Sequence, residues 1–235
     1  MKRDNKKDIA GKPEFCIGGF DICLGLGSNI GNTEDNLLKA LNLIKSAASA
    51  RQSSTLFQKN PFSGSIISGI SSVYLSSPVG NTKQPYFLNF AVLLRLSEPL
   101  QSNAKDYKAL VRWSPVFGRR LLSALKDIEK NMGRKNESER YMPRVIDIDI
   151  LFVYDNASKK FITLDLPELK LPHPQIFNRR FVLYPLLDLS YGLKKPFDKE
   201  SIKKALAELE NSKAGASQKI FYYGKFDENL TQIVR

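Results

Sequence analysis

Asp147 and Asp149 alternate with Ile146, Ile148 and Ile150 within residues 143–152. In a strand, successive side chains point to opposite faces. The isoleucines would then enter a core, and the two carboxylates would share the other face, roughly 6–7 Å apart. Carboxylates held that close repel each other, and a hard divalent cation, or a pair of them, ligated by oxygen removes the repulsion. Arg134, Arg140 and Arg144 crowd the approach. Carboxylate-held metal beside arginine is the chemistry of phosphoryl transfer. The same alternation also suits an edge strand with one solvated face.

Composition narrows the choice. With 235 residues, 42% of them hydrophobic, the chain can bury a full core. Its net charge of +12 favours anionic partners. Residues 105–144 hold eleven Lys/Arg against five Asp/Glu, half of that excess. A basic zone leading into two aspartates fits a nucleotide–metal substrate better than a nucleic-acid track. Cys16 and Cys23 match no zinc spacing and make no disulfide framework, which suggests a reducing cytoplasm. The single histidine, His173, excludes a three-histidine metal site. No signal core and no apolar run long enough for a bilayer is present, so no membrane association is expected.

The elements that must position these residues follow from periodicity. Residues 22–26 read as a strand running into Gly27-Ser28-Asn29-Ile30-Gly31. A helix should follow, capped by Asn32 or Thr33, with Leu37, Leu38, Leu41 and Ile44 as its buried stripe. The glycines at 25, 27 and 31 miss the G-x-G-x-x-G spacing by one residue, so a Rossmann site is rejected. Residues 52–70 read as a strand interrupted by a loop. Further strands are expected over 72–75, 87–96, around Asp147, over 161–166 and over 219–223. Residues 101–116 are less regular. Leu121, Leu125, Ile128 and Met132 recur at helical spacing, with Gly133 as C-cap. Helices are also expected over 181–189 and 199–211. Strands and helices mix without strict βαβ alternation, which points to an α+β fold with an antiparallel or mixed sheet.

The ordered motifs are Leu26-Gly27-Ser28-Asn29-Ile30-Gly31, Ser71-Ser72-Val73-Tyr74, Ser77-Pro78-Val79-Gly80 and Gln84-Pro85-Tyr86-Phe87-Leu88-Asn89. After them come Ile128-Glu129, Gly133-Arg134, the Pro143-Arg144…Asp147-Ile148-Asp149 segment, Leu171-Pro172-His173-Pro174 and Asn178-Arg179-Arg180-Phe181. Together, over about residues 20–190, they resemble the 6-hydroxymethyl-7,8-dihydropterin pyrophosphokinase family of folate biosynthesis.

The resemblance implies a ferredoxin-like sandwich with flanking helices. It implies pyrophosphate transfer from ATP, the co-substrate, to the pterin hydroxymethyl group, with release of AMP. By the family pattern Asp147 and Asp149 hold two Mg²⁺ ions, and Arg134 and Arg144 neutralise charge at the transferred group. Glu129, His173 and Arg179 fall at ATP-binding positions. Phe87 and Phe181 match the aromatics that sandwich the pterin. Asn89 matches its edge partner, and Ser76, Ser77, Pro78 and Val79 match the pocket lining. A flat heteroaromatic ring suits aromatic faces, and its amide-like edge suits an Asn. The loop from Arg134 to Arg144 is expected to close over the bound substrates. It departs from the family pattern at Asn136, Tyr141 and Met142.

The domain reading is a polar tail over residues 1–14, a pyrophosphokinase domain over 15–190, and an extension over 191–235 packed on that domain. Segments near 59–70 and 101–117 are insertions. Members are often fused to dihydropteroate synthase, so a functional link to that enzyme is expected, but too little chain follows Leu189 for its barrel. Two rivals fit less. A glycosyltransferase would leave Phe87 and Asn89 unexplained. A ferredoxin-like nucleic-acid-binding module would have no use for two aspartates that repel phosphate, so no nucleic-acid partner is expected.

Overall fold

A computed structural model describes residues 19–49, 61–96, 115–134 and 142–235. The expectations for the N-terminal tail, Cys16, Asn136, Arg140, Tyr141 and most of the insertion near 101–117 lie outside those residues, whereas the one near 59–70 is described from residue 61.

The strands are β1 (Phe20–Ser28), β2 (Ser65–Ile70), β3 (Val73–Ser76), β4 (Phe87–Leu96), β5 (Asp147–Asp155), β6 (Lys160–Phe161), β7 (Leu164–Asp165), β8 (Lys170–Leu171), β9 (Ile220–Phe226) and β10 (Ile233–Val234). The helices are α1 (Thr33–Ser49), α2 (Pro115–Asn131), α3 (Arg180–Leu189), α4 (Lys199–Glu210) and α5 (Lys213–Ala216). The main sheet runs β10-β9-β3-β4-β1-β5-β6, with β2 also on β4, and every described pairing is antiparallel. The central β1-α1-β3-β4-α2-β5 order is the β-α-β-β-α-β unit of ferredoxin-like folds. The expected α+β class therefore holds, with the sheet antiparallel rather than mixed. The stretch expected as one strand over 161–166 is two. Phe161 ends β6 on the main sheet, whereas Leu164 opens β7 of a separate hairpin with β8.

The strand period sorts the core. Ile22, Leu24 and Leu26 of β1 and Ile148 and Ile150 of β5 pack with α1 and α2 on one face. Leu37, Leu41 and Ile44 supply the α1 stripe as expected, but Ala40 and Ala48 complete it and Leu38 is only half buried. Asn32 is the cap, accepting a hydrogen bond from the Asp35 N–H at 3.3 Å. On the opposite face, Cys23, Leu151 and Phe152 pack with α3 and α4. Burial pushes the Cys23 thiol far up, so it is an inert packing group.

The segment after residue 191 returns to the same sheet. Phe197 is fully buried and stacks on Phe152, with ring centroids 4.4 Å apart. The strand expected over 219–223 extends to Phe226 as β9 and pairs with β3. Among the described residues no helix is long and apolar enough to cross a membrane.

Candidate active site

The carboxylates are presented by register. β1 lies between β4 and β5, which places Gly27 beside Asp147 on one side and Asn89 on the other. Gly25 likewise sits between Asp149 and Ala91. The glycines leave the sheet face bare between the aspartates and Asn89, and that bare strip floors a cavity of about 590 Å³. A Cβ on Gly27 would come within 2.9 Å of Asn89 Oδ1. The glycines thus provide space for a ligand across the sheet rather than a phosphate-binding turn.

Local irregularity then brings a second wall over the floor. Cys23 pairs with Phe152 and Leu24 with Ile150, which leaves Leu151 as a bulge. The freed Leu151 carbonyl accepts the His173 N–H at 2.7 Å and holds the 171–174 turn against the cavity. His173 Nδ1 accepts the Gln175 N–H at 3.1 Å. Burial, then Arg179, lowers the His173 pKa. A neutral ring with Nδ1 accepting carries its proton on Nε2, the state that donates to an anionic oxygen.

All the expected site residues except Arg134 and Glu129 line this one cavity. Arg134 is adjacent to it. Its Nη1 lies 2.9 Å from Asp147 Oδ1, and Arg144 Nη1 reaches the same oxygen at 2.6 Å. Arg179 Nη1 stands 3.9 Å from Asp149 Oδ2 and lies over the Phe181 ring at 5.6 Å. Asp149 titrates high, first because burial disfavours its charge and then because Asp147 is beside it. Asp149 is the carboxylate left with unfavourable charge, and with Asp147 beside it on the same face the oxygen donors fit Mg²⁺. Among the described residues there is no cluster of three or more His, Cys, Asp or Glu suited to a metal. A cation here would complete its shell from water and phosphate oxygens, as Mg²⁺ habitually does.

Glu129, expected against ATP, has another place. Its carboxylate is 1% exposed and accepts the Ile148 N–H at 2.7 Å, between the two aspartates on β5. The same oxygen pairs with Arg134, and the other accepts from Lys126 at 2.9 Å. An edge N–H with no strand partner must be satisfied when buried. Glu129 therefore ties α2, Arg134 and the carboxylate strand together from behind.

Asn29, which carried no expected role, does the same at the front. It is 2% exposed; its Oδ1 accepts the Arg144 N–H at 2.7 Å, and its own N–H donates to the Arg144 carbonyl at 3.1 Å. Its Nδ2 donates to Gln84 Oε1 at 3.0 Å. A buried Asn in a glycine loop leaves no periodic signature, so spacing could not have singled it out. Asn89 is fixed as an acceptor. Its Nδ2 is spent on Ser76 Oγ at 2.9 Å and the Phe87 carbonyl at 3.3 Å, leaving Oδ1 toward Gly27.

Comparison with known proteins gives the family. The family model for 7,8-dihydro-6-hydroxymethylpterin-pyrophosphokinase matches residues 23–191. The chain is 30% identical over 182 residues to the 2-amino-4-hydroxy-6-hydroxymethyldihydropteridine pyrophosphokinase of Aquifex aeolicus, covering 77% of this chain and 88% of that one. The Pseudomonas aeruginosa protein of the same name is 30% identical over 176 residues, 74% of this chain and 83% of its own. The folate synthesis bifunctional protein of Arabidopsis thaliana is 34% identical over 169 residues, 72% of this chain. The chain spans only about a quarter of the length of the plant bifunctional relatives it matches. A match across residues 23–191, on the stretch that builds both the carboxylate strip and the Asn89 wall, places this chain in the 7,8-dihydro-6-hydroxymethylpterin-pyrophosphokinase family.

Proposed function

We propose that the chain transfers pyrophosphate from ATP to 6-hydroxymethyl-7,8-dihydropterin in folate biosynthesis. The observation that carries this reading is the row Asp147–Gly27–Asn89 across three strands of one cavity floor. It sets a polyanion site and a heteroaromatic slot side by side, two strand spacings or about 10 Å apart.

At the slot, Phe87 and Phe181 offer aromatic faces and Asn89 Oδ1 accepts an N–H from the pterin edge. At the other end, His173 donates from Nε2 to a phosphate oxygen, and Arg179 faces the triphosphate. The pterin hydroxyl gives its proton to solvent as its oxygen attacks the β-phosphorus, the bond from that phosphorus to the α-phosphate oxygen breaks, and AMP leaves with the bond electrons. Arg134 and Arg144, paired with Asp147 here, turn to the phosphate oxygens as charge shifts toward the leaving AMP. Asp147 and Asp149 would hold Mg²⁺, two ions in our reading, which would supply charge compensation for the triphosphate and lower the pKa of the attacking hydroxyl.

The product is an activated pterin ester, and dihydropteroate synthase is the enzyme we expect to consume it. The plant relatives named as folate synthesis bifunctional proteins support a link to a second step of folate synthesis, without naming that enzyme. Helices pack on both faces of the sheet, which leaves a lined cavity rather than a bare stacking platform and favours a small-molecule enzyme over a nucleic-acid module. We place the activity in the cytoplasm.

Incubation with ATP, Mg²⁺ and the hydroxymethyl-dihydropterin should yield AMP and the pyrophosphorylated pterin in equal amounts. Release of ADP, or of AMP without pterin, would sink the reading. Gly27→Ala gives a second check. The added methyl must push the Asn89 side chain off its two partners. The pterin KM should rise about tenfold, on the order of one lost hydrogen bond to a well-placed ligand, with the ATP KM little changed.

A further inference from the structure

The family-matched segment ends at residue 191, yet the two walls of the ring slot are joined by residues well beyond it. One wall is the end of β3, where Ser76 holds Asn89 and Ser77 lines the cavity. The other is the turn from Asn178 to Phe181 that leads into α3. Residues 218 and 219 bond to both. The Ser77 N–H donates to the Lys219 carbonyl at 2.9 Å, and the Lys219 N–H donates back to Ser77 Oγ at 2.9 Å. One residue earlier, Gln218 Nε2 donates to the Asn178 carbonyl at 3.0 Å, and Gln218 Oε1 accepts the Arg180 N–H at 2.9 Å. Arg180 Nη1 returns a bond to the Gln218 carbonyl at 2.8 Å.

The Gln218 side chain is only 7% exposed, so these bonds are shielded from competition by water. Its own position is set by a tight local frame. Ser212 Oγ caps α5 by accepting the Gly215 N–H at 3.0 Å, and the Gln218 N–H donates to the Gly215 carbonyl at 2.9 Å. A Cβ at Gly215 would meet the Leu209 carbonyl oxygen at 1.8 Å, so only glycine lets the turn close there.

The clamp also divides the adjacent arginines. Arg180 is held outward by Gln218 and by Glu210 at 2.8 Å, which leaves Arg179 as the one that faces the cavity.

We infer that Gln218 is a positioning residue of the substrate slot. Resting on the pyrophosphokinase reading, the segment around it fixes the separation between the Ser77 wall and the 178–181 wall before the pterin arrives. A preformed slot spares the ligand the cost of ordering its own walls. The extension after residue 191 is then part of the binding site in this chain.

Two measurements test this. In the free wild-type protein, the amides of Ser77, Arg180 and Lys219 should share strong, similar protection from hydrogen exchange. Fast exchange at Arg180 and Lys219 would overturn the clamp. Gln218→Met keeps the volume of the side chain and removes its bonds to Asn178 and Arg180, together with a longer one from Nε2 to the Ala214 carbonyl at 3.4 Å, so packing alone would leave it normal. It should raise the pterin KM about tenfold while the ATP KM stays within about twofold and kcat is largely held. An unchanged pterin KM, or an equal rise for both substrates, would overturn the inference. If Gln218→Met does not fold, the wild-type exchange result decides. Failure of the wild-type protein to form AMP would instead remove the pyrophosphokinase reading and leave the exchange measurement to judge the clamp.

Discussion

Asp149→Asn should yield a folded protein that is more stable than wild type above pH 6 and almost without turnover. The stability half follows from titration. An ordinary aspartate carboxyl loses its proton near 3.8, whereas that of Asp149 is pushed up to about 6, by burial first and by Asp147 second. Below 3.8 the group is neutral in folded and unfolded chains alike, and the substitution changes nothing. As pH rises from there, the unfolded chain ionises first and the wild type loses stability until the folded group also ionises. Above about 6 the cost is complete. The side chain is 38% exposed, so solvent screening reduces the gain from its removal to about 1 kcal/mol. Urea unfolding of both proteins at pH 3.5 and pH 7.5 measures it, with the difference confined to the higher pH.

The activity half follows from the same charge. Asp149, whose charge costs stability, shares with Asp147 the face that fits Mg²⁺, so Asp147→Ala and Asp149→Asn should each lose about a thousandfold or more in kcat/KM, several kcal/mol of charge compensation. Near-normal AMP formation by either variant would refute the metal assignment. Stability given up for function at one residue is a common trade at active sites.

Arg144→Ala should lower kcat about a hundredfold, or about 3 kcal/mol, and raise the ATP KM much less. Arg144 is anchored through its backbone by Asn29 and reaches Asp147 with its side chain, so its guanidinium is poised at the border of the two substrate ends. In the free protein it neutralises Asp147. It can gain on the phosphates only as it leaves that carboxylate, which couples its contribution to the stage where charge is moving. Arg144→Lys should recover part of the loss, because it restores the charge but not the planar fork. Steady-state kinetics with ATP varied at saturating pterin separates the two parameters. A rise in KM that matches the whole loss in kcat/KM would make Arg144 a ground-state binding residue instead.

The sequence by itself determined the carboxylate strand and the family. Strict alternation at 146–150 can satisfy a buried face in only one register, so Asp147 and Asp149 had to share the other face. β4 was legible over its full span from Phe87 to Leu96, and so was the helical stripe of Leu121 and Leu125. Tertiary structure decided what those residues face. The glycines at 25 and 27 look like a failed nucleotide fingerprint along the chain. They acquire a purpose only when β1 is seen between Asp147 and Asn89, with Gly27 paired across 62 and 120 residues, which no local pattern encodes. The bulge at Leu151 that aims His173 is equally silent, because one extra residue in a buried strand leaves composition unchanged. Glu129 shows the same limit in reverse. A carboxylate on an amphipathic helix reads as a solvated or ligand-facing group, and only the unpaired Ile148 N–H on the neighbouring strand edge explains why it is buried. Asn29 and Gln218 act through hydrogen bonds to the backbone of distant segments. Such bonds depend on where folding brings two chains together, which periodicity and propensity do not record.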